Sequence, residues 1–395
     1  MKYLHRVLEG TLNKYLKSFC AVGITGPRQS GKSTTLKHVL GKDYEYISFD
    51  DPFLIEYFNR DPRGFFQRYS NRIIIDEVQK APQIFNYLKM AIDNDRDNYG
   101  KYVITGSSQF TLIKHVSETL AGRIGLLSLL PFQTDEMPVK LRPGQILSGS
   151  YPELVNRGYY NSREWYAAYI SNYIERDVRS LYNIGNLRDF QRLVLLLAAR
   201  TAQELNMSRL AAEVGVSVKT IQNWLSVLEA SYIIFMLPAY HNNLGKRIVK
   251  RPKLYFYDTG IVCYLTGITS AEILNKGPLS GPIFENLIVS EVKKIITHKN
   301  LNTAMFYFRS NLGIEADLIL EDKDKNNLMY AEIKNTHTIN YKMVENIVQL
   351  IGLDNKSSHI LPFKFSGHLI YRGNKSETLK DNIASINYND FLKSL

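Results

Sequence analysis

Residues Ala21–Leu36 read AVGITGPRQSGKSTTL, and this stretch decides the fold. The apolar run Ala21-Val22-Gly23-Ile24 reads as a buried strand. It leads into Gly26-Pro27-Arg28-Gln29-Ser30-Gly31-Lys32-Ser33, which meets the phosphate-loop pattern G-x-x-x-x-G-K-[ST] at every fixed position. Gly26 and Gly31 let the backbone curl so that successive N–H groups point at a polyphosphate. Lys32 is placed to reach the β- and γ-phosphates, and the Ser33 hydroxyl to ligate Mg²⁺. Thr34, Thr35 and Leu36 open a helix whose positive end faces the same anion.

Outward from this loop, the apolar strand Arg72–Ile75 ends in Asp76-Glu77, the form of a Walker B strand. Asp76 is then expected to hold Mg²⁺ through water and Glu77 to polarise the attacking water. Tyr44–Phe49 reads as another strand, ending in Asp50-Asp51-Pro52, where turn chemistry is favoured over a metal role. A further strand, Tyr102–Thr105, runs into Ser107 and Ser108. A γ-phosphate sensor at Ser107 or Ser108 and a helix cap at Ser108 both remain open. Arg123, on the short loop before Ile124–Leu130, is a candidate arginine finger or a plain surface cation. Residues 3–17 have the spacing of an amphipathic packing helix.

GPRQSGKSTTL, IIIDEVQKAP, TGSSQF, LAGRIGLLSLLPF and, later, KLYFYDTGI resemble, in this order, a large prokaryotic family of AAA-superfamily ATP-binding proteins. Members of that family carry a C-terminal domain of unresolved function. The resemblance runs over nearly the whole chain and implies an ATPase core at 1–150 followed by a helical lid at 151–200. Arg176, Arg179 and Arg192 are the lid's possible nucleotide sensors. Without an Asn-Lys-x-Asp motif, ATP is expected over GTP.

Residues 207–228, MSRLAAEVGVSVKTIQNWLSVL, carry a helix-turn-helix signature within a winged-helix segment at 201–260. Ser208 and Ser217 are expected as caps, Gly215 as the turn, and Val218, Ile221, Leu225 and Leu228 as the core face. Lys219, Thr220, Gln222 and Asn223 would then be exposed where base edges are read, unless the module is a packing unit only. Lys246, Arg247, Lys250, Arg251 and Lys253 crowd into a basic hairpin suited to phosphate contacts or to plain solvation.

The last segment, 261–395, reads as an α/β domain. Glu285 lies on a helix, Asp317 on one strand, and Glu332 and Lys334 two apart on the next, hence on one face. This order resembles the restriction-endonuclease pattern, in which Glu285, Asp317 and Glu332 would hold Mg²⁺ and Lys334 would activate water. Glu315 shares a face with Asp317 and could replace it or be plain surface.

The expected fold class is therefore α/β: a phosphate-loop NTPase core with a parallel sheet, a helical lid, a winged helix and a restriction-endonuclease-like domain. A net charge of +11 suits an anionic partner, with DNA expected first; a homo-oligomer and a protein partner are both compatible with the sequence. Cys20 and Cys263, the only cysteines, form neither a disulfide framework nor a metal cluster, so a reducing cytoplasm is expected. The opening MKYLHRVLEG lacks a signal-peptide apolar core, and the longest apolar run, Leu193–Ala199, is far too short to span a bilayer, so no membrane role is expected. The expected function is ATP hydrolysis on or beside DNA with Mg²⁺-dependent cleavage in reach; the alternative is an ATP-driven switch with a silent C-terminal platform.

Overall fold

β1 (Ala21–Thr25) is flanked by β4 (Tyr102–Thr105) and β5 (Ile124–Ser128), and β2 (Glu45–Ser48) and β3 (Ile73–Asp76) complete a parallel sheet. Its order is β2-β3-β4-β1-β5. Every residue of β1, β3 and β4 is buried, because a parallel sheet is covered on both faces. The two-residue period divides the side chains between two cores. Ile73 and Ile75 pack with Phe49, Phe58 and Phe85, whereas Ile74 packs with Val22, Leu36 and Leu8 of the helix Leu8–Leu16. The computed structural model describes residues 3–106, 119–172, 186–240, 251–357 and 363–395. Ser107, Ser108, Arg176, Arg179, Lys246, Arg247 and Lys250 lie outside the described residues.

The middle of the chain holds helices Leu187–Ala198, Met207–Val214 and Val218–Ala230, then an antiparallel pair, β6 (Ile234–Leu237) and β7 (Lys253–Phe256). Gly215 ends the second helix at φ +86°, and Ser217 caps the third by accepting from Thr220 N at 3.0 Å. Two expectations are corrected. Asn206, not Ser208, caps the second helix, since its side chain already accepts from Arg209 N. Val218, in the first turn, is 38 % exposed, while Ile221, Leu225 and Leu228 are buried as expected.

The C-terminal domain is a mixed sheet in the order β12-β13-β11-β10-β9-β8. β8 (Thr303–Arg309), β9 (Glu315–Asp322) and β10 (Asn327–Lys334) pair antiparallel; β11 (Lys364–Tyr371) and β13 (Ile383–Asn387) continue in parallel, with β12 (Thr378–Lys380) at the edge. The helix Glu345–Ser357 packs against β9, β10 and β11, and the long helix Ser280–Lys299 packs against β10.

The long helix also touches β5, β7 and the helix Leu8–Leu16, which explains why Asn286, Ser290, Glu291, Lys294 and His298 are all buried. Each of these five has a named partner. Glu291 accepts from Thr134 N (2.5 Å), Thr134 Oγ1, Gln145 Nε2 and the Lys294 ammonium (2.7 Å). Lys294 also donates to Ser150 Oγ, and Ser150 N donates to Asp258 at 2.7 Å. Asp258 caps the helix Thr259–Leu265 and accepts from Tyr166 OH. In the run Asp258-Thr259-Gly260, a Cβ on Gly260 would stand 2.2 Å from Tyr166 OH. Among the described residues, no helix is long and apolar enough to cross a membrane.

Breaking one side of a fully buried ion pair leaves an uncompensated charge, at a cost of about 3–5 kcal/mol. Glu291→Ala should therefore lower the urea midpoint of the full chain by a matching amount, whereas an exposed control, Glu272→Ala, should not. An unchanged midpoint for Glu291→Ala would show that the network does not hold the fold together.

Candidate nucleotide site and carboxylate cluster

The phosphate loop leaves β1 at Gly26, whose φ is +143°, and enters the helix Lys32–Leu40 after Gly31 at φ +92°. A Cβ on Gly26 would stand 2.1 Å from the backbone oxygen of Leu129, so the close strand-to-loop turn requires glycine. Lys32 is buried, and its ammonium donates to the carbonyls of Gly26 and Pro27, both at 2.9 Å. Burial pulls the Lys32 pKa down to about 8, against the opposing pull of Glu77 and Asp76. Ser30 Oγ is buried with no hydrogen-bond partner among the described residues, a donor directed into the loop with nothing to serve.

Asp76, at the end of β3, is held on several sides. Ser33 Oγ donates to its Oδ2 at 2.6 Å, Tyr46 OH donates to the same oxygen, and Thr105 Oγ1 and Glu77 N donate to Oδ1. Ser33 and Asp76 thus offer adjacent hard oxygens, a donor set that fits Mg²⁺ beside a polyphosphate. Glu77 has φ +56°, an uncommon conformation for a residue with a side chain, and Gln79 donates to its carboxylate. A cleft of about 630 Å³ is lined by Arg28, Lys32, Ser33, Asp50, Glu77 and Lys80, with Gln29, Gly31 and Thr34 on the loop side and Trp165 and Tyr169 opposite. Asp51 caps the helix Pro52–Arg60 as turn chemistry expects, but Asp50 faces the cleft and pairs with Lys80.

A second group of charges forms where β7, the long helix and β9 meet. The Lys253 ammonium lies 3.1 Å from Glu285 Oε1, 3.0 Å from Glu315 Oε1 and 3.6 Å from Asp317 Oδ1. Tyr255 OH donates to Glu285 at 2.6 Å, and Ile333 N donates to Asp317 Oδ2 at 2.9 Å. Glu332 pairs with the Lys334 ammonium at 2.5 Å. Burial, then the charge of Asp317, pushes Glu285 up to about 7, and the same two causes raise Glu332. Burial works against the Lys253 ammonium, but Glu285, Asp317 and Glu315 together outweigh it and raise its pKa.

Two expectations change here. Lys253 is 3 % exposed, so it is a buried partner of carboxylates and not part of a basic hairpin surface; Arg251 is exposed. Glu285, Asp317 and Glu332 do converge, yet an ammonium stands among the acids. No group of three acidic, histidine or cysteine side chains among the described residues is arranged to hold a metal ion. The residues do not fit a divalent-metal centre as they stand.

Residues 18–138 match the model of an AAA domain, residues 142–272 a domain of unknown function (DUF8612), and residues 280–391 another (DUF4143). The match over residues 18–138 supports an AAA-type ATP-binding protein. The chain is 28 % identical over 312 residues to the uncharacterized proteins Rv2008c of Mycobacterium tuberculosis and Mb2031c of Mycobacterium bovis, covering 78 % of this chain and 69 % of theirs. Among solved structures it is similar to the Walker-type ATPase PABY2304 of Pyrococcus abyssi (TM-score 0.46, 15 % identity, 65 % of this chain and 94 % of that one). It is also similar to the RuvB Holliday junction branch migration motor of Thermotoga maritima (TM-score 0.30, 17 % identity, 60 % and 90 %).

Within the AAA domain, Arg123 immediately precedes β5, at the end of the sheet opposite its own phosphate loop. Its guanidinium spans both oxygens of Asp93 (2.8 and 3.1 Å), and Arg123, then Arg96, holds Asp93 down at about 2. It cannot reach the nucleotide of its own chain. Arg192 is exposed and outside the cleft lining.

Three supports of the loop have no motif to announce them. Arg6, 4 % exposed, donates to Ser30 O (2.8 Å) and Leu130 O (2.6 Å) and pairs with Glu136 at 3.2 Å. Tyr232 OH bonds Thr25 Oγ1 (2.6 Å) and Ser128 Oγ (2.9 Å) at the carboxyl ends of β1 and β5. His298 Nε2 accepts from Leu130 N at 3.0 Å, and burial holds the ring neutral by pushing its pKa well below the usual value. An arginine at position 6 and a tyrosine after a helix carry no local pattern; only the fold brings them to the loop.

Losing a hydrogen bond while leaving its buried acceptor costs about 1–3 kcal/mol. Arg6→Met should accordingly weaken nucleotide binding by roughly ten- to a hundredfold in a fluorescent-nucleotide titration, with Arg96→Met as an unaffected control. Equal affinity in both variants would remove Arg6 from the loop's supports.

Proposed function

We propose that the chain hydrolyses ATP in its AAA domain and uses the cycle to act on or beside DNA. The observation that carries the hydrolysis reading is the direct contact of Ser33 with Asp76, beside the Lys32 ammonium and the strained Glu77. Bound Mg²⁺ would be held by Ser33 and Asp76 and would supply Lewis-acid neutralisation of the phosphates. Lys32 would exchange its two loop carbonyls for phosphate oxygens, and Ser30 Oγ would gain an acceptor. Glu77, at the cleft wall, would orient the attacking water and take its proton. A neighbouring cavity of about 400 Å³, lined by Tyr3, Leu4, Arg6, Thr34 and Phe132, is the place for the adenine base. In this reading residues 1–150 are the ATPase core and 151–200 the helical lid. Residues 201–260 are a winged helix and 261–395 a restriction-endonuclease-like domain.

The DNA part rests on the third helix of the central module, where Lys219, Gln222 and Asn223 are exposed, and on the exposed Arg251 just before β7. Cleavage by Lys334 with metal on Glu285, Asp317 and Glu332 is left out of the proposal, because Lys253 stands among the acids. That same observation favours, as a second reading, an ATP-driven switch whose C-terminal domain is a silent platform for a protein partner.

Lys32→Ala should abolish binding and turnover together, with a loss of at least about 10²-fold in kcat/KM. Glu77→Gln should keep ATP bound while hydrolysis stalls. Near-normal turnover in both would reject the site. Arg123 would act on the γ-phosphate of a neighbouring copy; mixing Arg123→Ala with Lys32→Ala chains should then restore part of the activity. Co-assembled chains that stay inactive would reject action in trans.

For DNA, affinity should fall steeply with salt, and Lys219→Ala or Arg251→Ala should each flatten that slope by about 1. Turnover indifferent to both single- and double-stranded DNA, together with salt-independent binding, would favour the protein-partner switch.

A further inference from the structure

The sequence pattern of the C-terminal domain asks for a divalent cation, and the structure presents a different one. Glu285 comes from the long helix, Glu315 and Asp317 from β9, and Lys253 from β7 of the preceding module. Three carboxylates face one ammonium within 3.0–3.6 Å, so the ammonium fills the space between their oxygens. Lys253 is 3 % exposed, so its stem is enclosed by its neighbours. Its backbone pairs with Leu237 across the hairpin and forms a bridge with Glu204 on the other side. The fourth acid, Glu332, is turned to its own cation, Lys334.

We propose that the Lys253 ammonium is the resident cation of this cluster, standing where a divalent ion would sit, and that the cluster is a charge-locked joint between β7 and the C-terminal sheet. The inference deepens the silent-platform reading. It is nonetheless read without nucleotide or DNA, so its failure is separate from any failure of the ATPase or DNA proposals. An ammonium on a backbone fixed from both sides does not diffuse away, and chelators cannot remove it. Burial makes the pairing necessary: the ammonium offsets acids that burial alone would leave uncompensated. The raised pKa of Glu285, about 7, agrees with an acid-rich cluster served by a single charge.

The test is a Mn²⁺ titration of the nucleotide-free, full-length chain, with free Mn²⁺ read by electron paramagnetic resonance. Wild type and Asp317→Asn should bind equal amounts of Mn²⁺, because neither has a vacant cluster. Lys253→Met, which keeps the stem and removes the charge, should bind one further equivalent, and Lys253→Met with Asp317→Asn should lose it again. Wild type binding one equivalent more than Asp317→Asn would overturn the proposal, since the acids would then be taking metal with the lysine present. A folded Lys253→Met that gains no equivalent would overturn it as well. Should Lys253→Met fail to fold, the comparison of wild type with Asp317→Asn decides alone.

Discussion

The helix Ser280–Lys299 is the constraint on which the remaining structure depends. A helix buried on all sides normally has an apolar sequence. This one buries Asn286, Ser290, Glu291, Lys294 and His298 among its isoleucines and valines; Ser290 bonds Leu287 O within the helix, and the other four take partners in neighbouring units. Asn286 bonds both the N–H and the carbonyl of Phe256 in β7. Glu291 and Lys294 bind the segment 132–150 that follows the AAA sheet, and His298 reaches Leu130. The hydrophobic core that runs from Leu130 through the central helices to Leu392 is continuous around it. Apolar burial supplies the bulk of the stabilisation, and the polar partners fix which surfaces meet.

The phosphate loop sits at the junction of these contacts. Arg6 grips Ser30 from the amino-terminal side, Tyr232 grips Thr25 from the central module, and His298 fixes Leu130, whose carbonyl Arg6 also binds. Each unit of the chain therefore touches the loop or its first neighbour by a directional bond. Of the three, Arg6 bonds the loop itself at Ser30, and Tyr232 and His298 hold the strand ends on either side of it.

Much of this was legible in the sequence where chemistry is local. The loop glycines, Ser33, Asp76 and Glu77 follow from spacing, because a strand–loop–helix closes within a few residues. Gly215 and Ser217 were legible for the same reason. The C-terminal acids were legible as a set and their cation was not: Lys253 looked like one of five basic hairpin residues, and only its pairing in β7 turns it inward. Arg6, Tyr46 and Thr105 were equally silent, since their partners lie 24 to 124, 30 and 29 positions away. A pattern reader sees neighbours along the chain; a fold selects neighbours in space.

The bond from Thr11 Oγ1 to His298 O, and that from Leu130 N to the same histidine's ring, join segments far apart in the order of synthesis. A ribosome delivers the amino-terminal sheet long before it delivers the long helix. Until residues 291–298 emerge, Leu130 N and the Thr134 N–H and hydroxyl face solvent without their native acceptors. The nucleotide-binding part of the nascent chain is thus born with an open flank and is sealed only when the last third arrives. A chain cut short before Ser280 leaves that flank permanently bare.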